Sequence, residues 1–348
     1  MKVGIIGLSR AGKTTVFNAI TGSTAQTGSF GAKKANLAVI KVPDERVTHL
    51  SSVYKPKKTT FAEIAFVDVP GGDEGSQAAL GGTQTIDLIK GVDTLAIVVR
   101  AFNDSSYATE VADPLAEFEQ VLGELVVLDL IVLEKKLERL DKERVKGTEY
   151  ELFKRAKEWL EEERPLRTIE LDEAEKKLLS GFQFLSMKPV LVLANTGETE
   201  SAELGALAAA CAGQGVPLVD FCGAIEMEIA GMDEGEQAEF LEGLGIAESA
   251  KNKFIREAYA LSSLISFLTV GEDEVRAWTA KKGSLAPQAG GKIHSDIERG
   301  FIRAEVVSFD DFVEHGGIPK AKEAGKARLE GKDYVVKDGD IINFRFNV

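Results

Sequence analysis

The first fifteen residues, Met1-Lys2-Val3-Gly4-Ile5-Ile6-Gly7-Leu8-Ser9-Arg10-Ala11-Gly12-Lys13-Thr14-Thr15, decide the fold. An apolar strand, Lys2–Ile6, runs into Gly7–Thr14, and a helix through Val16–Ile20 follows. The loop matches G-x-x-x-x-G-K-[ST] between a strand and a helix, the context a phosphate-binding loop requires. Glycines let the backbone wrap an anion with its N–H groups turned inward, and the helix N-terminus adds partial positive charge. Ser9, Arg10, Ala11, Gly12, Lys13, Thr14 and Thr15 are therefore the predicted phosphate-facing set. Lys13 is placed to reach the β- and γ-phosphates and the Thr14 hydroxyl to meet Mg²⁺. The expected ligands are ATP or GTP with Mg²⁺.

Working outward, Leu37–Val42 reads as a strand and Phe61–Val67 as a second one ending at Asp68. Asp68 and Gly71 form D-x-x-G after that strand. An Asp here is expected to serve the metal, and the Gly71 N–H the γ-phosphate. Thr94–Val99 and Val190–Ala194 are continuous apolar runs, as expected of strands buried on both faces, and Pro217–Phe221 is a further strand. Strands alternating with helices predict an α/β fold with a parallel, doubly wound sheet. That rhythm breaks between about Asp113 and Met187. Leu122, Leu125, Leu128, Val132, Leu133, Leu137 and Leu140 fall at helical spacing there, and Tyr150–Glu163 and Asp172–Leu185 are two more helical patterns. A helical, hairpin-like insertion is expected, its charges a solvated face.

Beyond Ser263 come short alternating segments with Gly turns between them: Ile265–Val270, Val275–Ala280, Phe301–Val306, Tyr334–Val336 and Ile341–Phe346. They predict a small β-rich domain. The expected division is residues 1–112 and 188–262 for the nucleotide domain, 113–187 for the insertion and 263–348 for the C-terminal domain.

The rest of the composition excludes more than it identifies. The chain of 348 residues has no run of 18 apolar residues, so no membrane span is expected. Only Cys211 and Cys222 occur, which rules out a disulfide framework and fits a reducing cytoplasm; both read as small apolar residues. A net charge of −14 opposes non-specific attraction to nucleic acid. From Leu264 to Val348 there are 13 Lys/Arg against 14 Asp/Glu, so this part is the least hindered from meeting RNA.

After Val190–Ala194 comes Asn195-Thr196-Gly197-Glu198. Switch-type GTPases carry N-K-x-D at this place, where the Asp forks two hydrogen bonds to guanine. The longer Glu198, with Thr196 in place of the Lys, does not reproduce that fork, so guanine specificity is expected to be weak. Asn195, Glu198 and Gly223 are the expected base-side residues.

These features together resemble the YchF-type NTPases of the Obg-related P-loop proteins. The resemblance covers essentially the whole chain. It is carried most strongly by Glu274–Phe312 (EVRAWTAKKGSLAPQAGGKIHSDIERGFIRAEVVSFDDF) and Lys322–Val348, which look like that family's TGS domain, and by Val42–Gly72 (VPDERVTHLSSVYKPKKTTFAEIAFVDVPGG). It implies a coiled-coil hairpin at the insertion, a β-grasp-like C-terminal domain, use of ATP in preference to GTP with Asn195 at the adenine edge, and association with ribosomes or ribosomal RNA; the expected protein is a cytoplasmic monomer of slow turnover. The chain also departs from the family pattern. Ser9-Arg10-Ala11 replaces P-N-V in the loop, Ala32 takes the place of the switch I Thr, and Pro70-Gly71-Gly72 alters the second switch. The phosphate cradle is kept while the parts that sense the γ-phosphate are changed. Two alternatives follow: a nucleotide-sensing protein with negligible hydrolysis, and a GTP-preferring GTPase. A P-loop kinase is disfavoured, since the insertion is a long hairpin and not an Arg-bearing lid. His49, His294 and His315 all lie outside the phosphate-facing loops. Thr27, Ser29, Asp73 and Glu74 read as exposed residues.

Overall fold

The computed structural model describes residues 1–22, 36–72, 80–103, 111–198, 201–246 and 248–347. Ala32, Thr27, Ser29, Asp73 and Glu74 lie outside them.

The first sheet contains β1 (Lys2–Ile6), β2 (Asn36–Lys41), β4 (Glu63–Asp68), β5 (Thr94–Ala101), β6 (Val190–Thr196) and β7 (Leu218–Phe221), in the order β2-β4-β1-β5-β6-β7. The strands from β4 to β7 pair in parallel, so their C-terminal ends share one edge, where an open α/β sheet binds its ligand. Ile5 pairs with Asp68 and Arg100 with Asn195, which brings three loops together at that edge. The centre is apolar on both faces: Ile97, Val99, Leu191 and Val192 are fully buried. Helices α1 (Lys13–Thr21), α3 (Thr83–Lys90), α7 (Gly205–Gly213), α8 (Gly223–Ala230) and α9 (Glu234–Gly243) belong with this sheet.

The insertion is helical, as its spacing requires. α4 (Pro114–Lys142) and α5 (Thr148–Glu161) pack through Leu133, Leu137, Leu140, Phe153 and Leu160, and a short α6 (Glu173–Ser180) follows. Buried Asp129 accepts from the backbone N–H groups of Leu185 and Ser186, at 2.8 and 2.7 Å, and so fastens the return of the chain to α4.

The chain divides into two compact units, residues 1–39 with 65–258, and residues 40–64 with 259–348. This differs from the division expected from sequence, which kept residues 40–64 in the nucleotide domain. Residues 40–64 hold α2 (Glu45–Tyr54) and β3 (Lys58–Thr60). β3 pairs in parallel with β9 (Glu274–Lys281), Lys58 opposite Glu274 and Thr60 opposite Arg276. From α2, Arg46 makes an ion pair with Asp338 at 2.6 Å, and His49 sets its ring edge against Phe309. The helix α10 (Ala250–Leu261) leads into this second unit.

Its sheet adds β8 (Leu264–Thr269), β10 (Phe301–Ser308), β11 (Arg328–Glu330) and β12 (Asp340–Phe346), in the order β11-β10-β12-β8-β9-β3. The β12–β8 pair is parallel between antiparallel neighbours, the β-grasp-like arrangement. α11 (Ala286–Ile293) covers it with Ala286 and Ala289. The segment Tyr334–Val336, expected as a strand, makes only an isolated bridge between Val335 and Leu285. The edge strands of this sheet are β11 and β3.

Candidate nucleotide site

The loop Gly7–Thr14 leaves β1 and closes on α1 through two glycines that nothing else can replace. Gly7 has φ +151°, and a Cβ there would stand 2.3 Å from the Val98 carbonyl oxygen. Gly12 has φ +84°, and its Cβ would stand 2.1 Å from Asn195 Nδ2. Arg10 also takes a left-handed conformation, φ 65°, and is exposed. Ser9, exposed, donates its hydroxyl hydrogen to the Gly72 carbonyl at 2.8 Å, which links the loop to the D-x-x-G turn.

Lys13 folds back over the loop, donating from Nζ to the carbonyls of Gly7 at 3.0 Å and Leu8 at 2.7 Å. Burial pulls its ammonium down to about 8, with Asp68 and Glu117 partly restoring the charge. Gly71 lies beside it: a Cβ at Gly71 would be 2.8 Å from Lys13 Nζ. The ammonium and the D-x-x-G turn thus converge on one spot. Thr14 donates its hydroxyl hydrogen to Asp68 Oδ2 at 3.2 Å. Asp68 is 7% exposed, and burial raises its carboxyl against the donors around it. A hydroxyl and a carboxylate in contact are hard oxygen donors, the set that suits Mg²⁺. Thr15 packs close to Gly223, its Cγ2 being 3.2 Å from where a Gly223 Cβ would be.

On the base side the geometry departs from the expectation that Asn195 meets the adenine edge. Asn195 is buried, and both ends of its amide are engaged by the protein. Nδ2 donates to the Ala11 carbonyl at 3.0 Å, and Oδ1 accepts from the Gly223 N–H at 3.3 Å. The side chain joins the phosphate loop to the start of α8. Glu198, by contrast, is exposed.

Three residues near this edge were missed in the sequence. Asn36, the first residue of β2, donates from Nδ2 to Asp68 Oδ2 at 3.2 Å. Glu117, on α4, accepts from the Arg100 backbone N–H at 2.8 Å and acts electrostatically on Lys13. The Phe102 ring lies 3.8 Å from the position a Gly12 Cβ would take. None belongs to a contiguous motif; a carboxylate three residues into α4 was the one signal available.

Relatives match along the full length. A protein of Bacillus subtilis named ribosome-binding ATPase YchF is 40% identical over 364 aligned positions, covering 100% of both chains. The Haemophilus influenzae protein of the same name is 39% identical, covering 100% of this chain and 99% of the relative. The chain belongs to the YchF family. A solved structure of the Schizosaccharomyces pombe YchF GTPase superposes with a TM-score of 0.88 at 30% identity, covering 99% of this chain and 97% of that one. The family model for the YchF GTPase C-terminal region, described as "Protein of unknown function (DUF933)", matches residues 264–347; the model described as "50S ribosome-binding GTPase" matches residues 2–136. As a YchF protein the chain is a P-loop nucleotide-binding NTPase. The B. subtilis and S. pombe relatives carry different nucleotides in their names, ATP in one and GTP in the other. No helix among the described residues is long and apolar enough to cross a membrane.

Proposed function

We propose that this YchF protein is a Mg²⁺-dependent NTPase of slow turnover that prefers ATP and acts in the cytoplasm on the ribosome. The contact of Thr14 with Asp68 beside the Lys13 ammonium carries the nucleotide part of this reading. The loop from Ser9 to Thr15 offers its backbone N–H groups to the phosphates, and Lys13 exchanges its two carbonyl partners for phosphate oxygens. Gly71 brings its backbone close to that same ammonium, where the γ-phosphate belongs. Thr14 and Asp68 would hold the metal, which when bound neutralises charge on the β- and γ-phosphates. Glu198, exposed at the end of the base loop, is the residue left to choose between bases, because Asn195 is engaged by Ala11 and Gly223. The names of the curated relatives support ATP and the ribosome.

Phosphate release from ATP and from GTP, with and without ribosomes, tests the reading. ATP should be the better substrate and ribosomes should raise its turnover. Glu198→Asp should improve GTP binding, since the shorter carboxylate fits the guanine edge. GTP bound about ten times more tightly than ATP by the parent would overturn the preference, a difference of roughly 1.4 kcal/mol. A second reading, a nucleotide sensor with negligible hydrolysis, is favoured by Ala32, which carries no hydroxyl. It predicts ATP binding with no release of phosphate even on ribosomes.

A further inference from the structure

We propose that Asn36 is a positioning residue: it holds the carboxylate of Asp68 in the orientation that receives Mg²⁺. The inference rests on the Mg²⁺-nucleotide reading above and deepens it. Two side chains from different parts of the chain converge on a single oxygen of Asp68. Thr14 Oγ1, at the start of α1, and Asn36 Nδ2, at the start of β2, each donate to Oδ2 at 3.2 Å. Among the described residues these are the two side-chain donors that meet that carboxylate, both at Oδ2, so Oδ1 is the oxygen that would be offered to a water on the metal. Two donors from separate elements on one oxygen restrain rotation of the carboxylate more than one donor would.

The residue types fit this division of labour. The Thr14 hydroxyl can give its oxygen to the metal while its hydrogen stays on Asp68, so its two roles are compatible. The Asn36 amide supplies a hydrogen bond without a charge. A Lys or Arg at this place would hold Asp68 equally well but would compete with the cation for it. Asn36 is itself exposed, which argues against a packing role and for the hydrogen bond as its contribution. Asp68 is desolvated at 7% exposure, so a donor lost there is not replaced by bulk water.

The test uses the full chain and a fluorescent ATP analogue, titrated first in EDTA and then with increasing Mg²⁺. Two variants are compared with the parent: Asn36→Ala, and Asn36→Asp, which keeps the size and removes the donor. Both should bind the analogue in EDTA like the parent, within about twofold. Both should need about tenfold more Mg²⁺ for the half-maximal effect, the usual cost of losing a partner that orients a metal ligand. Asn36→Asp should be the worse, because it faces Asp68 with a second carboxylate. An unchanged Mg²⁺ midpoint in both variants would overturn the proposal. So would an equal loss of affinity in EDTA and in Mg²⁺, which marks a structural role. A parent whose ATP binding ignores Mg²⁺ would instead overturn the reading on which the proposal rests, and the proposal with it.

Discussion

Asn195 donates its amide hydrogen to the carbonyl oxygen of Ala11 across 3.0 Å, and so ties the end of β6 to the phosphate loop 184 residues away. The same side chain accepts from Gly223 at the start of α8. Both bonds are buried. Asn195→Ala leaves a carbonyl and an N–H without partners, each costing about 1–3 kcal/mol if water does not reach it. Loop order should suffer, and ATP affinity should fall by roughly 10- to 100-fold. Asn195→Asp should be worse than Ala, because a carboxylate cannot donate to Ala11 and instead faces its oxygen. Binding isotherms with the two variants decide this. An Asp variant that binds like the parent would place the tie outside the functional geometry.

Lys13 makes nucleotide binding sensitive to alkaline pH. Its ammonium sits at about 8 because burial disfavours the charge. Phosphate oxygens favour the charged form, so ATP binding takes up a proton once the solution passes that value. Affinity should be flat below about pH 8 and fall by up to tenfold per unit above it. Stability of the nucleotide-free protein should move the other way. The folded pKa lies below the unfolded one, so the unfolded chain holds more protons between about 8 and 10.5, and this group's contribution to stability rises with pH through that window. Calorimetry at pH 9 in two buffers of different ionisation enthalpy measures the proton uptake. Lys13→Ala should lose most affinity and all of the uptake.

The C-terminal region holds part of the N-terminal sequence in place. Lys58–Thr60 pairs with Glu274–Arg276, Thr60 donates its hydroxyl hydrogen to Glu274 at 2.6 Å, and Arg46 pairs with Asp338. Deleting Leu264–Val348 removes every one of these partners. Hydrogen exchange should then show protection lost across Glu45–Thr60, while ATP binding survives, since Gly7–Thr14, Asp68 and Gly223 lie in the other unit. Protection unchanged in the truncated chain would mean that this segment is ordered by other contacts.

The phosphate loop was legible because its chemistry is contiguous: eight successive residues carry the glycines, the Lys and the Thr. The parallel sheet was legible because its central strands are apolar on both faces. The pairing of Lys58–Thr60 was not, because three polar residues show no period and their partner lies some 216 positions on. Asn36 is hidden for a similar reason, since it meets Asp68 only after β2 and β4 enter one sheet. Asn195 was found by its motif, but the motif says nothing of where the amide goes. That depends on Ala11 and Gly223, which only the folded chain brings within reach.

Arg10 occupies a left-handed backbone position, φ 65°, which suits Asn better than Arg. Keeping Arg there costs roughly 1 kcal/mol of local strain, and such strain gathers where function requires it. The YchF pattern that the sequence resembles has Asn at this loop position, a neutral amide whose oxygen would leave room for a monovalent cation beside the β- and γ-phosphates. Arg10 carries a permanent positive charge into the same loop, and a guanidinium can fork two hydrogen bonds to phosphate oxygens. Charge spreading over the transferring phosphoryl group is stabilised by any cation held there, whether ion or side chain. ATP hydrolysis by the parent should therefore be the same in potassium and sodium buffer. Arg10→Asn should be slower in sodium, be stimulated by potassium, and melt at a temperature no lower than the parent, because the backbone strain is relieved. Hydrolysis by the parent that rises strongly with potassium would show that Arg10 does not replace the ion.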